Sequence, residues 1–247
     1  MHLEDAPRIW AIADLHLPGG NRKPMDVFGD HWADHFTKIQ RDWRERVGPE
    51  DVVLIPGDIS WAMQLEAALP DLLALAALPG RIVLLRGNHD YWWNSLTQLR
   101  AALPENMRAI QNDAWDAGFC VFCGTRGWTI PEGEEAAAQD VKIYRRELAR
   151  LEMSLKEAQR IAEGRPIVAL MHYPPVFPEK MREGTEFTRL MSAYGVSRCV
   201  YGHLHGPSVR RGIHATLQGV RYDLTACDAL DFRLLDVSLS NTNEETF

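Results

Sequence analysis

Short apolar runs alternate with stretches of three- and four-residue periodicity along the first part of the chain, and each run stops at a polar cluster. Arg8 to Ala13 reads as a strand that ends at Asp14-Leu15-His16. From Phe28 to Val47 the pattern turns helical, with Trp32, Phe36, Ile39, Trp43 and Val47 on one face, and Gly48-Pro49 stops it. Asp51 to Ile55 is a second strand, closed by Pro56-Gly57-Asp58. Ala62 to Leu78 is a second helix, in which Pro70 predicts a break or a kink. Ile82 to Leu85 is a third strand, followed by Arg86-Gly87-Asn88-His89-Asp90. Such a β-α-β-α-β run gives parallel strands with right-handed crossovers. The C-terminal ends of these strands then share one edge, the edge where open α/β sheets bind ligands. Asp14, His16, Asp58, Asn88 and His89 converge there from topology alone.

The remaining pattern adds to this scheme. A short helix spans about Ser95 to Leu103, and Phe119 to Cys123 is a strand. Gly124-Thr125-Arg126-Gly127-Trp128 is a glycine-rich loop that matches no nucleotide fingerprint. The longest helix runs from about Glu135 to Glu163, with Val141, Tyr144, Leu148, Leu151, Leu155 and Ala158 on its apolar side and a Glu152–Lys156 pair on its polar side. Pro166 to Leu170 is a strand ending at Met171-His172-Tyr173, and a helix follows from about Thr185 to Tyr194. Arg198 to Tyr201 is a strand ending at Gly202-His203-Leu204-His205. Runs at Gly212 to Leu217, Val220 to Thr225 and Phe232 to Val237 are spaced for antiparallel hairpins, with Gln218-Gly219 as one turn. The tail from Ser240 reads as frayed. No linker or repeat divides the chain, so residues 1–247 read as one domain.

Composition narrows the class. A net charge of −7 and a pI near 5.7 argue against a nucleic-acid or anionic-membrane surface. The first residues lack a basic start and an apolar segment, and the longest apolar run, Leu72 to Leu78, is too short to span a bilayer. The expected location is cytoplasmic, with no membrane partner. The four cysteines fit a reducing compartment. Cys120 and Cys123 spell C-x-x-C, but three apart on a strand they face opposite ways, so neither a shared metal nor a disulfide is expected.

Five strand-like runs end in polar clusters: Asp14/His16, Asp58, Asn88/His89, His172 and His203/His205. These hold five of the nine histidines. Carboxylate, imidazole and amide oxygen together suit manganese, iron or zinc rather than a thiolate-loving ion. The donors are too many for one tetrahedral ion and suit two ions that share a carboxylate, a centre that activates water and clamps a phosphoryl group. Positive ions would draw a phosphate into an otherwise acidic protein.

Asp-x-His, Gly-Asp, Gly-Asn-His-Asp, a lone His after a strand and Gly-His-x-His, in that order from Asp14 to His205, resemble the calcineurin-like metallophosphoesterase superfamily. The resemblance implies a four-layer α-β-β-α sandwich, with mixed sheets flanked by helices. It implies that Asp14, His16 and His205 hold one ion, that Asn88, His172 and His203 hold a second, and that Asp58 bridges them. His89 would stand over the leaving-group oxygen, with Asp90 orienting it, and a metal-bridging hydroxide would attack phosphorus in line. The expected reaction is hydrolysis of phosphate mono- or diesters on a small phosphorylated substrate. The segment Gly57-Asp58-Ile59-Ser60-Trp61-Ala62-Met63 lacks the Asp-Arg-Gly of the superfamily's protein phosphatases, and Asp90 stands where they favour Glu. Phosphoprotein substrates are therefore not expected. The chain is most similar to compact bacterial stand-alone phosphohydrolases.

A nucleotide or cyclic-nucleotide phosphodiesterase is the alternative within the same chemistry, and a metal-stabilised binding scaffold the alternative outside it. Arg126 and Trp128 are the leading substrate contacts, ahead of Arg22, Lys23, Lys180 and Arg182. Trp61, Trp92, Trp93 and Trp128 serve equally as an aromatic wall or as core packing. His31 and His35, four apart, read as solvated or capping residues. No Gly-x-Ser-x-Gly elbow is present, which argues against a serine hydrolase.

Overall fold

The strand-ending clusters sit where two sheets meet. A computed structural model describes residues 6–20, 25–131, 133 and 137–239. The first sheet has the order β11-β1-β2-β3-β4: Leu235–Asp236, Ile9–Ala11, Val52–Pro56, Arg81–Leu85 and Met107–Ile110. Strands β1 to β4 are parallel, and β11 runs antiparallel to β1. The second sheet has the order β5-β6-β7-β8-β10-β9: Ala114–Asp116, Val121–Thr125, Ile167–Met171, Val196–Tyr201, Val220–Leu224 and His214–Leu217. Its four inner strands are parallel, and β5 and β9 are antiparallel edges.

Period-two alternation in the strands explains the layers. Val52, Leu54, Val83 and Leu85 point inward and meet Phe122, Val168, Leu170 and Val200 between the sheets. Val53, Ile55, Ile82 and Leu84 point outward under α1 (His35–Arg46), α2 (Leu65–Ala76) and α3 (Leu96–Ala102). On the far side, Val121, Cys123, Ala169, Met171 and Tyr201 lie under α4 (Ala138–Ala162) and α5 (Glu186–Ala193). The result is the expected α-β-β-α sandwich.

Several local expectations change. Residues 25–28 and 30–32 are 3-10 turns, so α1 starts at His35 rather than Phe28. Pro70 does not break α2, which runs through it. The Gln218-Gly219 hairpin forms, but β10 also lies parallel to β8, and β11 leaves the second sheet to pair with β1. Strands β4 and β5, of four and three residues, are too short to stand out in the sequence. Cys120 packs between the sheets and Cys123 under α4, on opposite faces as expected, and all four cysteines are free and buried. Glu152 and Lys156 pair at 2.9 Å. Arg22, Lys23, the Glu135 start of the long helix and the tail from Ser240 lie outside the described residues. Among the described residues, no helix is long and apolar enough to cross a membrane.

Candidate metal centre

Asp14 and His16 follow β1, Asp58 follows β2, Asn88 follows β3, His172 follows β7, and His203 and His205 follow β8. Asp14, His16, Asp58 and His203 have positive φ, at 61°, 45°, 52° and 74°. Residues other than glycine carry strain of about 1–3 kcal/mol there, and such strain gathers at working sites. Two motif glycines provide clearance. A Cβ on Gly87 would overlap the Asp58 carboxylate and amide, and one on Gly202 would overlap the Asp14 carboxylate. Gly87 therefore serves the approach of two strand ends rather than merely its own turn.

The side chains meet in two groups. His205 Nε2 lies 3.3 Å from Asp14 Oδ1 and 3.3 Å from His16 Nε2. Asn88 Oδ1 lies 2.7 Å from His172 Nε2 and 2.9 Å from His203 Nδ1. Asp58 Oδ2 stands between the groups, 3.9 Å from His16 Nε2 and 3.5 Å from His172 Nε2. Donor atoms of Asp14, His16 and His205, and again of Asp14, Asp58 and His172, fall within 4.8 Å of one another. The sandwich thus brings together all seven candidate ligands.

These spacings suit a cation. Ligands bonded at about 2.1 Å to one ion sit roughly 3 Å from each other. His172 shows the need most directly. Burial holds it below the ordinary imidazole range, so the ring is neutral. Its Nδ1 faces the Pro56 carbonyl at 3.0 Å, an acceptor only, so the ring proton is there. Nε2 then turns a lone pair on Asn88 Oδ1, a second acceptor, and both atoms would be satisfied if they held a cation.

The charges agree. Asp14, Asp58 and Asp90 are all buried. Burial, and next the charge on Asp14, push Asp58 up to about 7. Burial acts against Asp14 too, but His205, His172 and His16 outweigh it and hold Asp14 near 2. Burial drives His16 and His203 down to about 3, so both are neutral donors at neutral pH. His205 is the exception: burial lowers it, but Asp14 and Asp228 outweigh that and raise it to about 10.

One expected contact is not formed. Asp90 does not orient the His89 ring. Its oxygens accept from the amides of Gly87 (2.7 Å), Asp58 (3.0 Å), Ile59 (2.9 Å) and Ser60 (3.2 Å) and from Trp92 Nε1 (3.1 Å). Asp90 is buried under the loop, where it collects these amides, while His89 stays half-exposed. Asp90 pins the Asp58 loop to the Asn88 loop. The His89 amide donates to Asp58 Oδ1 at 2.8 Å, which leaves Oδ2 free to face both groups.

Asp228 escaped the sequence reading. It lies on a 3-10 turn, Cys227–Leu230. Its Oδ1 accepts from His205 Nδ1 at 3.1 Å, and its Oδ2 from the Gly206 amide at 2.8 Å. A carboxylate on the far nitrogen fixes a ligand histidine's tautomer and raises its basicity.

The tryptophans divide. Trp92 and Trp93 are core residues. Trp61 stacks on His16 at 4.6 Å and stands 4.8 Å from the His89 ring. Trp128 donates to Asp140 at 3.1 Å and lies 5.2 Å from Tyr173, which packs 4.1 Å from His203. The Arg126 guanidinium sits 4.9 Å over Trp128. Its carbonyl accepts from the amides of His172 and Tyr173. Burial, and next the charge on Arg126, lower the neighbouring Arg86. His35 turns Nε2 to the Leu15 carbonyl at 2.9 Å and forms no chelate with His31.

Fold and site together define an α-β-β-α sandwich whose strand ends gather a set of donors that could hold metal ions. The profile of the calcineurin-like phosphoesterases matches residues 7–207, a span that includes every candidate ligand from Asp14 to His205. This chain belongs to that family. Phosphopantetheinyl hydrolase from Mycobacterium tuberculosis shares the fold, with a TM-score of 0.57 and 16% identity over 97% of this chain and 99% of that one. TT1561 of Thermus thermophilus aligns with a TM-score of 0.49 and 16% identity, covering 94% and 99%. The gene 66 protein of Mycobacterium phage D29 is 42% identical over 84 residues, 33% of this chain and 40% of that protein. Its counterpart in phage L5 is 32% identical over 83 residues, 33% and 39%. The chain thus spans about two fifths of the length of these curated relatives.

Proposed function

We propose that the chain is a binuclear phosphohydrolase that cleaves small phosphate mono- or diesters. The observation that carries this reading is the station of Asp58 Oδ2 between His16 and His172. Asp14, His16 and His205 would hold one ion and Asn88, His172 and His203 the other, with Asp58 shared. Manganese, iron or zinc fit these oxygen and nitrogen donors. When bound, the ions supply Lewis acidity and an activated water for in-line displacement at phosphorus.

The chain's own groups would do the rest. Asp58 and Asp90 fix the loop that presents His89. His89 would give a proton to the leaving oxygen. Arg126, held over Trp128, would receive the part of the ester that stays on phosphorus. A nucleotide or cyclic-nucleotide diester is the alternative substrate for the same machinery. The reading takes residues 1–247 as one catalytic domain, cytoplasmic, without a nucleic-acid or membrane partner.

Stripped protein reloaded with manganese is expected to hold two ions per chain by elemental analysis and to turn over p-nitrophenyl phosphate or its bis ester. One ion per chain, or two ions without turnover of either ester, would sink the proposal.

A further inference from the structure

We infer that the surface beside His89 is an apolar apron that seats the departing alcohol, so that the substrates are phosphoesters whose leaving group carries an alkyl or aryl chain. On the phosphohydrolase reading above, His89 marks the leaving-group side. A line of contacts starts there. The His89 ring lies 6.2 Å from Tyr91 and 4.8 Å from Trp61, and Trp61 Nε1 donates to Met25 Sδ at 3.3 Å.

Exposed apolar side chains flank the residues of this line in sequence. Among the described residues, six large hydrophobics are exposed, and four of them stand within three positions of Met25, Trp61 or His89. They are Val27 (73% exposed), Phe28 (63%), Met63 (54%) and Tyr91 (47%). The other two, Leu73 and Met153, lie on α2 and α4. Apolar groups so placed next to a polar centre mark a ligand surface.

Charge narrows the occupant. Asp26 and Asp30 are exposed in the same segment as Val27 and Phe28, and they disfavour a second phosphate on this side. Among the described residues, the Arg126 guanidinium is a cationic group beyond Tyr173 on the His203 side. Among the described residues, the site thus offers a cation on the His203 side and apolar side chains on the His89 side.

Ethyl, butyl and hexyl phosphate test this, because all three release a primary alcohol and differ only in chain length. With the manganese-loaded protein, kcat/KM is expected to rise roughly two- to fourfold per methylene, the range for partial to full burial of that group. Phe28→Ser combined with Met63→Ser should flatten the rise. Turnover of ethyl phosphate with a flat series overturns the apron alone. No turnover of these three or of either nitrophenyl ester overturns both the phosphohydrolase reading and the apron, and turnover of the nitrophenyl esters alone overturns the apron. Sedimentation and flotation with phosphatidylcholine vesicles complete the test. A dimer or a vesicle complex that the double variant abolishes would assign the surface to a second copy or to a membrane and overturn the inference.

Discussion

The indole of Trp61 and the imidazole of His16 stack at 4.6 Å, with their planes 19° apart. The same indole stands 4.8 Å from His89, so one side chain braces a candidate ligand and the candidate acid together. Trp61→Leu is expected to weaken manganese binding about tenfold and to lower kcat more than it raises KM, in line with outer residues that orient metal ligands. Trp61→Phe should recover most of both. Calorimetric titration and steady-state kinetics check this. Unchanged metal affinity in Trp61→Leu would show that the stack is packing only.

His89 and Asp90 are neighbours with separable roles. His89→Ala should keep both ions and lose about 10²–10⁴-fold in kcat, the usual worth of a placed proton donor. Asp90→Asn should instead lower the stability of the ion-free protein by about 3 kcal/mol in urea, because hydrogen bonds to a buried charge are costly to weaken. If His89→Ala lost its ions, its place outside the ligand set would be wrong.

Asp228→Ala removes the carboxylate behind His205 and keeps the ligand itself. A loss of about 10- to 100-fold in metal affinity is expected, with Asp228→Asn milder. Competition against a fluorescent chelator measures it, and an unchanged value would remove Asp228 from the site.

Protons compete for the centre. Burial and the charge on Asp14 raise ion-free Asp58 to about 7, so below that pH an ion must displace a proton. Apparent manganese affinity should therefore be at least about tenfold weaker at pH 6 than at pH 8. Affinity that does not change across this window would contradict a buried, ion-linked Asp58.

Asp223, away from the centre, gives a stability prediction. Burial pushes it up, but His214, Arg198 and Arg221 outweigh burial and hold it below the ordinary value of 3.8. A depressed carboxyl stabilises the fold above the unfolded pKa, and that contribution is lost as pH falls through the lower folded value. Asp223→Asn should cost about 1–2 kcal/mol at pH 7 and flatten the stability curve below pH 4. Chemical denaturation at several pH values checks both.

Much of this was legible because parallel strands turn sequence-distant residues into neighbours. Asp14, Asp58, Asn88, His172 and His203 each follow a short apolar run that reads as a buried strand, and the crossover rule aligns the ends of such runs. The direction a side chain takes within a turn was not legible. Asp90 adjoins His89 in sequence, yet it turns under the loop to collect amides. Asp228 follows a run, Val220 to Thr225, that reads as one arm of a hairpin rather than as a parallel strand, and only the return of the chain past Ala13 brings it to His205. Strand β11 has two residues, too few to show a period.

The candidate ligands are divided between the two sheets. Asp14, His16, Asp58 and Asn88 hang from the first, and His172, His203 and His205 from the second. Between the sheets runs a mainly apolar seam, and apolar contacts resist separation better than they resist sliding. Ions held from both sides would act as a rivet at one end of that seam. Loading the centre would then fix the register of one sheet over the other, coupling the mechanical integrity of the sandwich to its chemistry.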